Sequence, residues 1–294
     1  MQKISRTKAL LIISAIYVFA LASGYLLARL IPCTLILRLF LADVFATVIV
    51  YVFSVIFKNT SVYDPYWSFV PWVLIIIATI ETKNFSAPII ILLIAFTLWS
   101  WRLTFNWAIT FKNMAHEDWR YTMYREKYPR LLFEFINFTG LQMMPTLVVF
   151  GGLCPFILLV EQGSNYLSII GALIILLGAS LEFFADHQMH VFLNNTTEKV
   201  TCQKGLWYYS RHPNYLGEIT IWFGLALTHI IQYPTQWYFD LPFVFIVLLF
   251  NFISIPMMEK RQLSRRPDYE NYRKSTSRLL ILPKRIIGKN ESEQ

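Results

Sequence analysis

The sequence predicts an all-α membrane protein, a polytopic bundle of about eight helices. Three observations predict it: scarce charge, apolar runs of membrane-spanning length, and an uneven distribution of basic residues. Only 15% of residues are charged and 56% are hydrophobic, with a mean hydropathy of +0.47, whereas soluble domains carry about 25% charged residues. So few charges cannot cover a water-facing surface. The apolar runs suit a hydrocarbon layer of roughly 30 Å, which takes about 20 residues of helix. Helices are required because lipid offers no partner to the backbone groups of an open strand edge.

Taken in order, spans are expected near residues 9–28, 35–57, 67–80, 88–111, 141–160, 166–185, 215–232 and 237–256. The third is short, and the seventh opens with Gly217 and Glu218 inside its apolar pattern. Either can be re-entrant or packed inside the bundle, so the count ranges from seven to nine. Lys3, Arg6 and Lys8 precede the first run as in a signal peptide. That run is too long and lacks a convincing cleavage site, so it reads as a retained helix.

Orientation follows from the basic residues. With eight spans, 22 of the 26 Lys and Arg residues fall on one side, which the positive-inside rule assigns to the cytosol together with both termini. Arg102 is the one basic residue deep in a span, with Asp43 as an acidic counterpart in another. The net charge of +8 raises nucleic acid as a partner, but half the excess sits in residues 260–289, just past the last run. There it suits anionic lipid headgroups or a phosphorylated ligand. No nucleic-acid or protein partner is expected. Cys33, Cys154 and Cys202 lie far apart, so neither a disulfide framework nor a zinc site is indicated.

No repeat or flexible linker divides the chain, so residues 1–294 read as one membrane domain. Two polar segments, 112–140 and 187–214, interrupt it, and with the tail they make three stretches on the cytosolic side. The densest constellation runs from Gly205 to Glu218, with Trp207, Tyr208, Tyr209, Arg211, His212, Asn214 and Tyr215 between them. Pro213 suits a first helical turn. The N–H groups there, with Arg211, would form an anion site. The alternative is plain headgroup anchoring, but Glu218 lies about a turn into the helix. A buried carboxylate needs a partner, and Arg211 or a tail arginine is the natural one.

A second cluster holds Glu182, Asp186, His187, Gln188 and His190. Its spacing lacks the rest of a metal motif, so contacts to a ligand or between helices are expected and no metal. A third, His116-Glu117-Asp118-Trp119-Arg120-Tyr121, reads by itself as an interfacial amphipathic helix. Tyr63-Asp64-Pro65-Tyr66-Trp67 reads as a turn with an aromatic-belt anchor.

The Gly205–Glu218 run, the upstream Glu182–Gln188 stretch, and Pro267-Asp268-Tyr269-Glu270-Asn271-Tyr272 through Pro283 resemble the C-terminal domain of the steroid 5-alpha-reductase family. Tyr63–Trp67, Glu117–Tyr121 and Ala185–Gln188 are more similar to an uncharacterised membrane branch of it. Sterol reductases and isoprenylcysteine carboxyl methyltransferases are more distant relatives by the same central motif. The resemblance implies a membrane oxidoreductase acting on CH–CH groups. It would use NADPH from the cytosolic side to reduce a carbon–carbon double bond in a steroid-, isoprenoid- or fatty-acyl-like substrate drawn from the bilayer.

It further implies a cofactor-binding region over residues 180–285. Asp186, Asn214 and Glu218 belong to its pocket, beside Trp207, Arg211, His212 and Tyr215, and Arg265, Tyr269 and Tyr272 close over it. The Arg211-His212-Pro213 segment departs from the steroid enzymes, and no steroid-binding motif is recognisable in the N-terminal half. The proton source is open among Glu117, Tyr208, Tyr209 and Tyr215. The rival enzyme is a methyltransferase using S-adenosylmethionine at the same segment; outside enzymes, the rival is a lipid-binding or transport protein. The membrane would be the endoplasmic reticulum in a eukaryote and the inner membrane in a bacterium.

Overall fold

The computed structural model describes residues 5–284; Lys3 and the basic residues Arg285 and Lys289 lie outside them. Helices dominate, and no β-sheet forms among the described residues. Seven helical rods are long and apolar enough to cross a membrane. They are α1 (Arg6–Arg29), α2 (Leu35–Phe57), α3 (Tyr66–Thr82) with the 3₁₀ turn Thr60–Tyr63 before it, α4 (Ala87–Thr110), α6 (Arg130–Ile136) running into α7 (Met144–Gln162), α8 (Ser168–Asn195), and α11 (Leu241–Leu249) running into α12 (Ile255–Arg265). The eighth apolar run is α10 (Pro213–Gln232), less hydrophobic and packed in the middle of the bundle. Short helices α5 (Trp119–Lys127), α9 (Leu206–Tyr209) and α13 (Tyr269–Ser275) lie between or beyond the rods.

The rods differ from the sequence expectation chiefly in length. The third is lengthened by the 3₁₀ turn that leads into it. The fifth begins at Arg130 and carries a π-helical stretch, Asn137–Met143, in its first half. There Gln142 Nε2 donates to Ser54 Oγ of α2 at 2.9 Å and to Asn137 Oδ1 at 3.0 Å, so the extra residue turns two amides inward. The sixth continues ten residues past the expected end at 185, because its polar residues face partners rather than stopping the helix.

Contacts between rod ends place Arg6 and the stretch after α12 on one face, the two being linked through Arg102 near the end of α4 and Asp186 beside the start of α10. Arg6, at the start of α1, donates to the carbonyls of Ala108 and Phe111 at the end of α4. The start of α10 meets the tail. At the opposite face Arg38 pairs with Glu81 at 2.7 Å, and Asn84 Nδ2 donates to the Val160 carbonyl at 2.8 Å. Glycines allow the closest crossings. A Cβ on Gly24 of α1 would sit 2.5 Å from the Ala42 carbonyl of α2, the small-residue packing that association in lipid favours. The middle of the bundle is filled by Phe96, Trp99, Phe156 and Trp222, with Phe96 and Trp99 tilted together at 4.7 Å and the other pairs ring edge against ring face at 5.3–6.1 Å.

Candidate functional site

The site is built where α8 and α10 cross. Gly178 faces Gly217 so closely that a Cβ on Gly217 would lie 2.7 Å from the Gly178 carbonyl and 2.8 Å from Glu182 Cβ. That crossing brings Glu182 of α8 beside Glu218 of α10. Arg102 of α4 reaches both acids of α8, with Nη2 2.6 Å from Glu182 and Nη1 2.9 Å from Asp186. Asn106 Nδ2 adds a longer contact to Asp186 at 3.3 Å. Glu218 accepts from two indoles, Trp99 Nε1 at 2.9 Å and Trp222 Nε1 at 2.8 Å. The partner of Glu218 is therefore a pair of tryptophans with Arg102 nearby, not Arg211 or a tail arginine.

Above this crossing, the segment from 199 to 215 folds over the end of α8. Gly205 adopts φ +58, where a side chain would be strained, and a Cβ there would also strike the Gln188 amide 2.4 Å away. The glycine lets Gln188 Oε1 accept from Leu206 N at 2.8 Å, which seats α9. Trp207 Nε1 then donates to the Ala185 carbonyl at 2.9 Å. Asp268 accepts from Thr201 N and Oγ, both at 2.9 Å. The tail pairs with this segment as an extended strap: Arg211 N donates to the Ser277 carbonyl at 2.9 Å and Ser210 Oγ to the Leu279 carbonyl at 2.7 Å. Tyr272 Oη donates to the Trp207 and Ser210 carbonyls.

Between α8, this segment, α12 and α13 lies a cavity of about 250 Å³. Asp186, Trp207, Arg211, His212, Asn214, Tyr215, Tyr269 and Tyr272 all line it, although they come from three separate stretches of sequence. Five residues that the sequence offers for cofactor or proton do not, Tyr208 among them at 41% exposure. Glu218 lies beneath the cavity, in the crossing. Tyr209 points outward, 43% exposed, because the strap holds its backbone. Arg265 is exposed on the outer side of α12, and its neighbour Arg266 lines the cavity instead. Glu117 lines a separate cavity of about 750 Å³, where Arg125 holds it at 2.7 Å and Thr60 N donates to it at 2.7 Å.

Arg211 is not a free anion site either. Its Nε lies 2.9 Å from Glu259, and its guanidinium also bonds the Arg273 carbonyl. The same carboxyl meets His212 Nε2 at 3.2 Å. Burial holds the His212 imidazole below its usual value against the pull of Glu259, so the ring is neutral and donates to that carboxylate. Burial likewise raises the Tyr269 and Tyr272 phenols, which stay protonated. These groups form a frame. The polar heads of Asn214, Tyr215, Gln262 and Arg266, by contrast, bond no other described residue and line the cavity.

Sequence reading missed Met189, Leu193, Thr201, Cys202, Met258 and Gln262, which line the cavity from helices or loops that look ordinary in sequence, and it left open which of Arg265 and Arg266 faces the ligand. It placed Tyr63 and Tyr66 at headgroup level, but both are buried, stacked at 4.9 Å, with Tyr66 Oη donating to Asp43 Oδ1 at 2.8 Å. The 63–67 and 117–121 motifs make one unit, in which Tyr121 Oη donates to Asp64 at 2.7 Å and Asp118 N to Ser61 Oγ at 2.8 Å.

Most of this architecture, from the end of α2 to α13, lies within one recognised family. The chain belongs to DUF1295, a family of proteins of unknown function, whose match covers residues 50–276. That stretch includes the cavity, the Arg102 cluster and the joined 63–67 and 117–121 motifs, and leaves out α1, most of α2 and the strap after residue 276. No curated protein and no solved structure matches the chain. The family and the seven apolar rods make it a multi-pass integral membrane protein.

Proposed function

We propose that this protein is a membrane-embedded reductase that uses NADPH to reduce a carbon–carbon double bond in a lipophilic substrate. The observation that carries this reading is the group of unbonded polar heads, Asn214, Tyr215, Gln262 and Arg266, gathered in one cavity beneath aromatic rings. In a membrane protein, polar groups that bond nothing in the protein are expected where a ligand or water meets them. The steroid 5-alpha-reductase-like motifs supply the kind of ligand.

The residues fit such a cofactor. Arg266 offers a guanidinium suited to a phosphate. The Asn214 amide donates and accepts, as a carboxamide partner requires. Trp207 and Tyr269 offer ring faces to a base or nicotinamide. At about 250 Å³ the cavity is below the ~300–1,000 Å³ of whole ligand sites, so it seats one part of a dinucleotide and leaves the rest along the polar face. When bound, the reduced nicotinamide supplies hydride, and the chain supplies orientation and a proton. Of the four proton sources open in the sequence, Tyr215 is the one that lines the cavity, stacked at 5.4 Å on His212 and tilted against Phe250. Its free hydroxyl makes it our choice as the acid. The substrate would reach the site from the bilayer, which keeps water from the reacting atoms.

The test is a set of binding titrations on the detergent-purified protein with NADPH, NADH and S-adenosylmethionine separately. NADPH is expected to bind at least about tenfold tighter than NADH, about 1.4 kcal/mol. Binding of S-adenosylmethionine alone would replace the reductase with the methyltransferase.

A further inference from the structure

The crossing beneath the cavity holds more acid than base. Glu182, Asp186 and Glu218 face a single cation, Arg102. The groups that surround them are Trp99 and Asn106 on α4, His190 on α8, and Trp222 and Tyr215 on α10. Glu182 and Glu218 are almost fully buried, at 5% and 3% exposure. Glu182 packs directly against Gly217, the residue before Glu218, so close that a Cβ on that glycine would lie 2.8 Å from Glu182 Cβ. The Gly178–Gly217 contact prevents the two acids from moving apart without separating the helices.

Two ionised carboxylates are both acceptors and cannot bond each other; a carboxyl–carboxyl hydrogen bond needs a proton between them. Adjacent like charges away from water also cannot both persist. Arg102 divides its two ends between Glu182 and Asp186, and the tryptophans that bond Glu218 are neutral donors, so no further positive charge reaches the pair. We propose that Glu182 and Glu218 hold one shared proton behind the cavity, with Asp186 as its outlet. Asp186 is the one acid of the three that lines the cavity, and it stands four residues from Glu182 on the same helix face.

The purpose of this proton rests on the reductase reading. Reduction of an alkene adds a hydride to one carbon, with its electron pair from the reduced nicotinamide, and a proton to the other. The proton leaves through Tyr215 at the cavity wall and is replaced by way of Asp186 from the pair. The pair is then left as two carboxylates and regains one proton from water at the polar face. Glu182 and Glu218 touch no substrate; they store and position the proton.

Infrared spectroscopy of the purified protein near neutral pH, without cofactor or substrate, tests the proposal. The wild-type spectrum minus that of Glu218→Gln, and minus that of Glu182→Gln, is expected to show the carbonyl stretch of one protonated carboxyl, shifting in D2O. The buried Asp43 contributes equally to all three spectra and cancels. Trp222→Phe, which keeps every charge and removes one donor to Glu218, is expected to move the same band in frequency, and serves if either glutamine variant fails to fold. Absence of the band from both differences overturns the proposal, as does a band that survives Glu218→Gln and vanishes only in Glu182→Gln. A protein that binds NADPH without the band overturns the shared proton alone. One that shows the band but binds no NADPH supports the proton and overturns the reductase reading.

Discussion

At one surface of the bundle Arg38 meets Glu81 at 2.7 Å and Tyr25 bonds the same carboxyl, while His229 Nδ1 lies 3.0 Å from Asp240. At the other surface Asn214, Tyr215, Gln262 and Arg266 share a cavity and bond no described residue. Both surfaces carry comparable side chains at helix ends. What separates them is pairing: each side chain of the first set meets a partner and holds helices in register, although Arg38 Nε and His229 Nε2 stay without one among the described residues, and the second set leaves its polar heads for a ligand. The cavity's own frame, Arg211–Glu259–His212, belongs with the first kind.

The largest effect on cofactor binding expected from this contrast is at Asn214. Asn214→Ala removes donors and an acceptor that no protein group uses, so NADPH binding should fall by more than about tenfold with the melting temperature unchanged. A stable variant with normal affinity would break the contrast, by making Asn214 a bystander. Arg102→Leu should act the opposite way. It leaves Glu182 and Asp186 without their cation and should destabilise by roughly 3–5 kcal/mol, read as a large drop in melting temperature in detergent. Glu81→Gln, at the opposite surface, loses only a partly exposed pair, worth about 0.2–1 kcal/mol, and should leave NADPH affinity unaltered.

Arg266 and Arg265 sharpen the comparison within a single helix turn. Arg266→Ala should weaken NADPH about tenfold, or 1.4 kcal/mol, and spare NADH. Arg265→Ala should change neither, since only Arg266 lines the cavity. Equal losses for both cofactors would remove the phosphate role from Arg266.

How much of this was legible in the sequence depended on the range of the interaction. The helical rods were legible because lipid demands long apolar runs, whatever their partners. So was much of the cavity, because Trp207 to Tyr215 and Tyr269 to Tyr272 are dense local runs that polar strapping brings together. Pairings across the bundle were not. Arg211 carried no sign that Glu259, 48 residues later, would hold it. Glu117 gave no sign that Arg125 and Thr60 N would occupy it. Tyr209 and Tyr215 look alike in sequence, yet the strap at Ser277–Leu282 turns one outward while α10 carries the other into the cavity. Gln262 and Arg266 sat in a basic tail whose helix phase was the only clue to which of its residues face inward.

The proposed reductase seats its cofactor in the cavity between α8, α12 and α13. A photoreactive NADPH analogue, cross-linked to the purified protein and located by peptide mass spectrometry, tests it most directly. The predicted labels fall within residues 205–216 and 258–272 and disappear when excess NADPH competes. Competable labelling confined to residues 113–126, around the larger cavity that holds Glu117, would contradict it.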